Sequence, residues 1–181
     1  MLGPIIRGEG VSLEPPRLDD LETYRSWFAN TDVTRYLLMR FVLSEDGEAE
    51  WFRRVASESN SVVWRVVVDG RTIGNTGIHG IDWINRHATT GTVIGEMSQW
   101  GKGYGSQLVR LRTDYAFRQL GLERLDTQTL SMNIGMQRCL EKSGYQRVGI
   151  CRRYIFQDGV WNDMVLYGLL RDEWEAARSK P

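Results

Sequence analysis

Residues 98–107 read SQWGKGYGSQ, with glycine at alternate positions, Gly101, Gly103 and Gly105, behind Trp100. The segment that follows, GSQLVRLRTDYAFRQLG (105–121), carries Leu108, Leu111, Tyr115 and Gln119 on one side, with Val109, Ala116 and Leu120 beside them. That spacing predicts a helix stopped at Gly121. Glycine gives up more backbone entropy on folding than any other residue, so three of them at a helix start require a reason. A tight turn is one reason. A second comes from the helix end itself, which has unpaired N–H groups and about half a positive charge. Glycines let a bulky anion, such as a phosphate or pyrophosphate, approach those groups. A Walker phosphate loop is excluded, because Gly105 is followed by Ser106-Gln107 rather than Lys-Ser/Thr. A dinucleotide fingerprint needs a glycine where Ser106 stands, and doubly wound parallel units around it.

Upstream, VVWRVVVDGRTIGNTGIHGID (62–82) predicts a hairpin turning at Asp69-Gly70. INRH (84–87) marks the next turn, and ATTGTVIGE (88–96) returns as a third, antiparallel strand. VSLEPP (11–16) predicts a short first strand. Two helices are expected over 17–30, with Leu21, Tyr24, Trp27 and Phe28 at helical spacing, and over 44–59, with Ser44 as N-cap. Downstream, 123–130 reads as a strand and 134–144 as a helix closed by Gly144. Residues 145–156 and 160–170 read as strands around Asp158-Gly159, and 171–179 as a last helix. A strand–helix–strand unit over 88–130 implies one parallel pair with a right-handed crossover in an otherwise antiparallel sheet. The expected fold class is therefore mixed α/β (α+β), one domain over 1–181.

The composition narrows the function. Lys+Arg and Asp+Glu both number 23, and a dedicated nucleic-acid binder would show a basic excess. No stretch approaches the ~20 apolar residues of a membrane span, and the N-terminal residues lack a signal-peptide core. Cys139 and Cys151 form no CxxC pair, and His79 and His87 are too few for a zinc site, so no metal is expected. A reduced, cytoplasmic setting is the simplest expectation.

WGKGYGSQLVRLRTDYAF (100–117) resembles the pyrophosphate-binding loop and helix of the GNAT superfamily of acyl-CoA-dependent N-acetyltransferases. NIGMQRCLEKSGYQRVG (133–149) is similar to a later family segment, in which an Asn opens a helix ending in Lys-x-Gly-aromatic. Residues 11–30 and 154–174 resemble the first and last parts of the branch that acetylates ribosomal-protein N-termini and small amines.

The resemblance implies a GNAT-like sheet whose central parallel strands, about 88–96 and 124–130, splay apart with helices on both sides. It implies acetyl-CoA as the acetyl donor, its pyrophosphate on Trp100, Gly101, Lys102, Gly103, Tyr104, Gly105 and Ser106. The pantetheine arm would lie along Val93, Ile94 and Gly95, with Asn133 holding it from the second helix. Asn133 also reads as a plain N-cap. The partners implied are acetyl-CoA and a primary amine, on a monomer or homodimer, with no nucleic acid and no membrane. A non-catalytic acyl-CoA sensor on the same fold is the alternative. Three positions depart from the family pattern: Trp100 replaces Arg or Gln, Leu140 replaces a thiolate-protonating Tyr, and Thr89 replaces a Glu.

The amine must be neutral to attack a thioester. An α-amino group of pKa ~7.8 is roughly 10–20% neutral at pH 7, and an alkyl amine of pKa ~10.4 only about 0.04%. An alkyl amine thus needs ~3–4 kcal/mol more help, and without a strong base a low-pKa amine is the expected acceptor. The base candidates are His79, Asp82 and Glu96. With the turn at 84–87, residue 79 is expected opposite about residue 92. Each candidate has a plainer reading, as a satisfied strand histidine, a turn-flanking carboxylate and a helix-terminal acid respectively. The oxyanion would meet a backbone N–H around 94–96. Trp83 and Trp161 flank turns and are expected to wall the acceptor pocket, while Arg152 and Arg153 read as a solvated strand face, with a grip on an acidic peptide or the cofactor's 3′-phosphate as the alternative.

Overall fold

The computed structural model describes residues 1–39 and 41–178. Eight strands form one sheet: β1 (Ile6–Arg7), β2 (Ser12–Glu14), β3 (Val62–Val68), β4 (Arg71–Asp82), β5 (His87–Ile94), β6 (Arg124–Leu130), β7 (Gln146–Gln157) and β8 (Val160–Leu170). Their spatial order is β1-β2-β3-β4-β5-β6-β8-β7, and only β5 and β6 run parallel. The hairpin tips carry positive φ at both residues, 48° and 74° at Asp69-Gly70 and 51° and 76° at Asp158-Gly159. That backbone matches the right-handed twist of the strands it joins.

The helices are α1 (Asp20–Phe28), α2 (Thr31–Thr34), α3 (Glu45–Ser57), α4 (Tyr104–Arg118), α5 (Ile134–Lys142) and α6 (Arg171–Arg178). The expected order of elements is present, and Ser44 caps α3 by accepting from the Gly47 amide. Three elements were not expected, the two-residue β1, the one-turn α2 and a 3₁₀ turn at Met97–Gln99, all too short for any periodicity to register. The last residue of the expected final helix, Ser179, lies outside the described residues, as do the other residues after 178. Among the described residues no helix is long and apolar enough to cross a membrane.

Strand alternation divides the core. Ala88 and Ile94 of β5 pack with Leu108, Phe117 and Leu140 of α4 and α5. Val93 packs with Tyr24 and Trp27 of α1 and Trp51 of α3. Neighbouring residues of one strand therefore serve opposite faces, with α4 and α5 on one side and α1 and α3 on the other.

Candidate active site

The strands part where the resemblance expects it. β5 pairs with β6 at His87–Thr90 against Arg124–Thr127 and no further. β5 then continues to Ile94, held only by β4. The Gly95 amide donates to the Ile73 carbonyl of β4 at 2.9 Å. Amides alternate along a strand, so those of Thr92 and Ile94 point away from β4, into the gap. Trp100 Nε1 donates to the Ile94 carbonyl at 2.8 Å, which places that residue's polar groups on the open side. Beneath the parting point lies Arg112, fully buried on α4. Its Nη1 donates to the Gly91 carbonyl at 2.8 Å, to Thr92 Oγ1 at 2.6 Å and to Thr76 Oγ1 at 2.9 Å. The guanidinium thereby ties β5 to β4 where β6 leaves it.

The glycine loop closes one end of this gap. Gly101 and Gly103 have φ of 77° and 86°, and Gly103 is the N-cap of α4 with no side chain on the first-turn amides. Gly105 has a different reason: a Cβ there would stand 3.0 Å from Cys139 Sγ, so its absence lets α4 and α5 close. The loop borders a cavity of about 540 Å³ lined by Val93, Ile94, Trp100, Gly101, Gly103, Tyr104, Gly105, Ser106 and Asn133. Lys102 and Gly95 are not in its wall. Lys102 Nζ donates to Gln99 Oε1 at 3.1 Å, and Gly95 lies under the Trp27 ring, which a Cβ would meet at 2.0 Å. Asn133 does cap α5, accepting from the Met136 amide at 3.0 Å, while also facing the cavity. Leu140 is buried in the core between α5 and the sheet, away from the gap. Among the described residues no group of His, Cys, Asp and Glu side chains converges as a metal site.

A second cavity, of about 410 Å³, opens from the same parting and shares Tyr36, Thr92, Val93 and Asn133 with the first. His79 lines it; Asp82 and Glu96 line neither cavity. Asp82 accepts from the amides of Ile84 and Asn85 and from Asn85 Nδ2, all at 2.8–2.9 Å, and these bonds hold its carboxyl below the usual range. Glu96 caps a 3₁₀ turn at Met97–Gln99, accepting from Ser98 Oγ at 2.7 Å. The register corrects one expectation: His79 sits opposite Thr89 rather than residue 92, because the turn spans 83–86, pairing Asp82 with His87, and a one-residue bulge lies between His79 and Asp82. The imidazole folds back over Gly77, where a Cβ would lie 2.5 Å from Nε2. The surrounding walls and then the Arg112 charge hold its pKa below the ordinary value, against a smaller opposing pull from Glu58.

Trp83 and Trp161 do not wall this cavity; Trp83 donates to the Ser59 carbonyl and Trp161 packs on Phe156, both largely exposed. The aromatic walls come instead from Tyr24, Phe28, Tyr36, Trp51 and Trp64. Arg152 and Arg153 also stay outside both cavities. Sequence reasoning did not single out Asn75, opposite Val93, or Glu48, a residue of the second cavity's wall that is only 2% exposed. Nothing in the sequence marks Glu48, since Glu45, Asp46 and Glu48 all read as acids complementing the start of α3.

Comparison with known proteins agrees with this geometry. A model of the acetyltransferase (GNAT) domain matches residues 11–146. The chain is 26% identical to an uncharacterized N-acetyltransferase, YoaA, of Bacillus subtilis (strain 168), over 93% of this chain and 97% of that protein. It is 30% identical to a putative ribosomal N-acetyltransferase, YdaF, of the same bacterium, over 71% and 69% of the two chains. The fold superposes on a Vibrio cholerae spermidine N-acetyltransferase solved with CoA and spermine, with a TM-score of 0.85 at 19% identity, covering 93% of this chain and 99% of that one. By its splayed parallel strands, its glycine loop and this family match, the chain belongs to the GNAT family and is an acetyltransferase.

Proposed function

We propose that the protein transfers the acetyl group of acetyl-CoA to a primary amine by direct attack on the thioester. The observation that carries this reading is the meeting of two cavities at the parting of β5 and β6, one bordered by bare helix amides and the other by aromatic rings and an imidazole. The first fits a CoA-type ligand: the amides at Gly103–Ser106 suit its pyrophosphate, and that of Thr92 suits an amide group of its pantetheine arm. When bound, acetyl-CoA supplies the activated carbonyl. Trp100, edge-on to Tyr36 with ring centroids 6.0 Å apart, shields the mouth from water. The Gly95 and Glu96 amides both donate to the Ile73 carbonyl, so the Ile94 amide is the donor left for a developing oxyanion.

His79, kept mostly neutral at pH 7 by its depressed pKa, serves as proton acceptor. Thr89, its partner, is four residues from Val93, about 13 Å of strand, so the proton travels through water rather than directly. Asp82 and Glu96 are committed to local turns and are left with structural roles. The acceptor class (protein N-terminus, polyamine or amino sugar) is that of a primary amine small enough, or extended enough, to enter the second cavity. The two free cysteines are in keeping with a cytoplasmic setting. The test is thiol release from acetyl-CoA across a panel of primary amines. Release with at least one amine supports the reading; saturable CoA binding without release from any amine overturns it in favour of an acyl-CoA sensor.

A further inference from the structure

Two carboxylates are almost fully buried among the described residues, Asp20 and Glu48. They are treated differently by their surroundings. Asp20 accepts from the Arg17 amide at 2.7 Å, from Thr72 Oγ1 at 2.7 Å and from Arg65 Nη1 at 3.4 Å. Glu48 receives no hydrogen bond on its carboxyl from any described residue, and its Oε1 is wholly shielded. Arg25 is the cation that acts on it; its Nη1 is bonded to Glu45 at 2.8 Å, and its Nε is buried without a partner. A second buried polar atom in the same wall is also unpartnered, the Tyr24 hydroxyl, on a residue 1% exposed.

Buried polar groups are rarely left unpaired, and an unpaired carboxylate is among the costliest to bury. Here the two orphans share one cavity wall with the rings of Phe28 and Trp51. The Tyr24 and Trp51 rings meet edge-on with centroids 6.1 Å apart. Both pack beside Val93, at the parting end of β5 rather than the His79 end. A carboxylate, a hydroxyl acceptor and aromatic faces together complement one chemical group, an alkylammonium, which donates hydrogen bonds and is drawn to ring faces.

We propose that Glu48 and Tyr24 form the acceptor's recognition site, their side chains turning out from these screened positions so that the carboxylate and the hydroxyl accept N–H bonds from a primary aliphatic ammonium. This rests on the acetyltransferase reading and narrows its substrate class to aliphatic amines that arrive charged. It reverses the expectation, drawn from the sequence, that a low-pKa α-amine is the acceptor. Burial raises the Glu48 pKa, against a smaller lowering by Arg25, the direction expected of a carboxyl with no hydrogen-bond partner of its own.

The test is calorimetric titration of the CoA-loaded protein with 1,4-diaminobutane, against 1,4-butanediol as an uncharged match. Wild type is expected to bind the diamine and not the diol. Glu48→Gln should weaken diamine binding at least tenfold, and Tyr24→Phe several-fold, with CoA affinity unchanged in both. Glu48→Gln should also melt no lower than wild type, because it removes an unpaired buried charge. Equal diamine affinity in wild type and Glu48→Gln, or a lower melting temperature for that variant, overturns the proposal. Thiol release measured in parallel separates the two readings. Release without diamine affinity keeps the transferase and sinks the recognition site. Glu48-dependent affinity without release from any amine keeps the recognition site and sinks the transferase.

Discussion

Gly103→Val is the sharpest test of the cofactor loop, because the structure supplies its own control. Gly103 has φ of 86°, and a Cβ there meets no protein atom within 4 Å. Gly70, at the tip of the β3–β4 hairpin, has φ of 74° and equally open surroundings, and it lines neither cavity. Valine at either position incurs the left-handed backbone cost, at least ~1–2 kcal/mol. For a chain of this size each kcal/mol lowers the melting temperature by about 2–4 °C, so both variants should fold and melt roughly 2–8 °C below wild type. Only Gly103→Val places methyl groups on the cavity wall. If they deny a pyrophosphate even one charge-assisted hydrogen bond, the loss is ~1.5–3 kcal/mol. That corresponds to a rise in CoA Kd of roughly 10- to 150-fold. Calorimetry on both variants reads the difference directly. Matching CoA affinities in folded Gly103→Val and Gly70→Val would refute the assignment of the loop as a phosphate cradle.

Three further outcomes are expected. His79→Ala should lower kcat/KM about 10²-fold with CoA affinity unchanged; in wild type the acid limb of the pH–rate profile should fall below pH 6.5, and a profile that keeps this limb in the variant excludes His79 as proton acceptor. Gly95→Ala brings a methyl to 2.0 Å from the Trp27 ring, so it should destabilise the fold by ~1–3 kcal/mol or more; an unchanged denaturation midpoint would contradict the packing of α1 on β5. Glu14 is held below the usual carboxylate range chiefly by its bond to Arg65, so its folded form binds fewer protons than the unfolded chain. The stability it contributes is complete above the unfolded pKa and is lost as the pH falls through the folded one, and Glu14→Gln should flatten that acid limb in denaturant titrations.

The fold was legible where the chain speaks in periodicities and turn residues. Asp69-Gly70, Asp158-Gly159, Gly121 and Gly144 each punctuate an element where expected, and all four glycines adopt positive φ. The loop that borders the first cavity was legible because glycine advertises where backbone must turn or be approached. The acceptor side was not. Which residue faces a cavity there depends on a bulge after His79 and on how α1 and α3 seat over β5, neither of which leaves a local pattern. Trp51 and Trp83 look alike in the sequence, yet one walls the cavity and the other, outside both cavities, hydrogen-bonds to the Ser59 carbonyl. Glu48 stands among other first-turn acids, and only packing distinguishes the buried one.

Arg112 ties two properties of the site to a single side chain. Its bonds to Gly91, Thr92 and Thr76 tie β5 to β4 where the sheet divides, and its charge, after burial, lowers the His79 pKa. Mechanical shape and acid–base state therefore cannot drift independently in this protein. A neutral replacement at position 112 would loosen the fork and raise the imidazole pKa in the same stroke, though burial would still hold it down, whereas Lys would retain the cation and give up the multidentate grip.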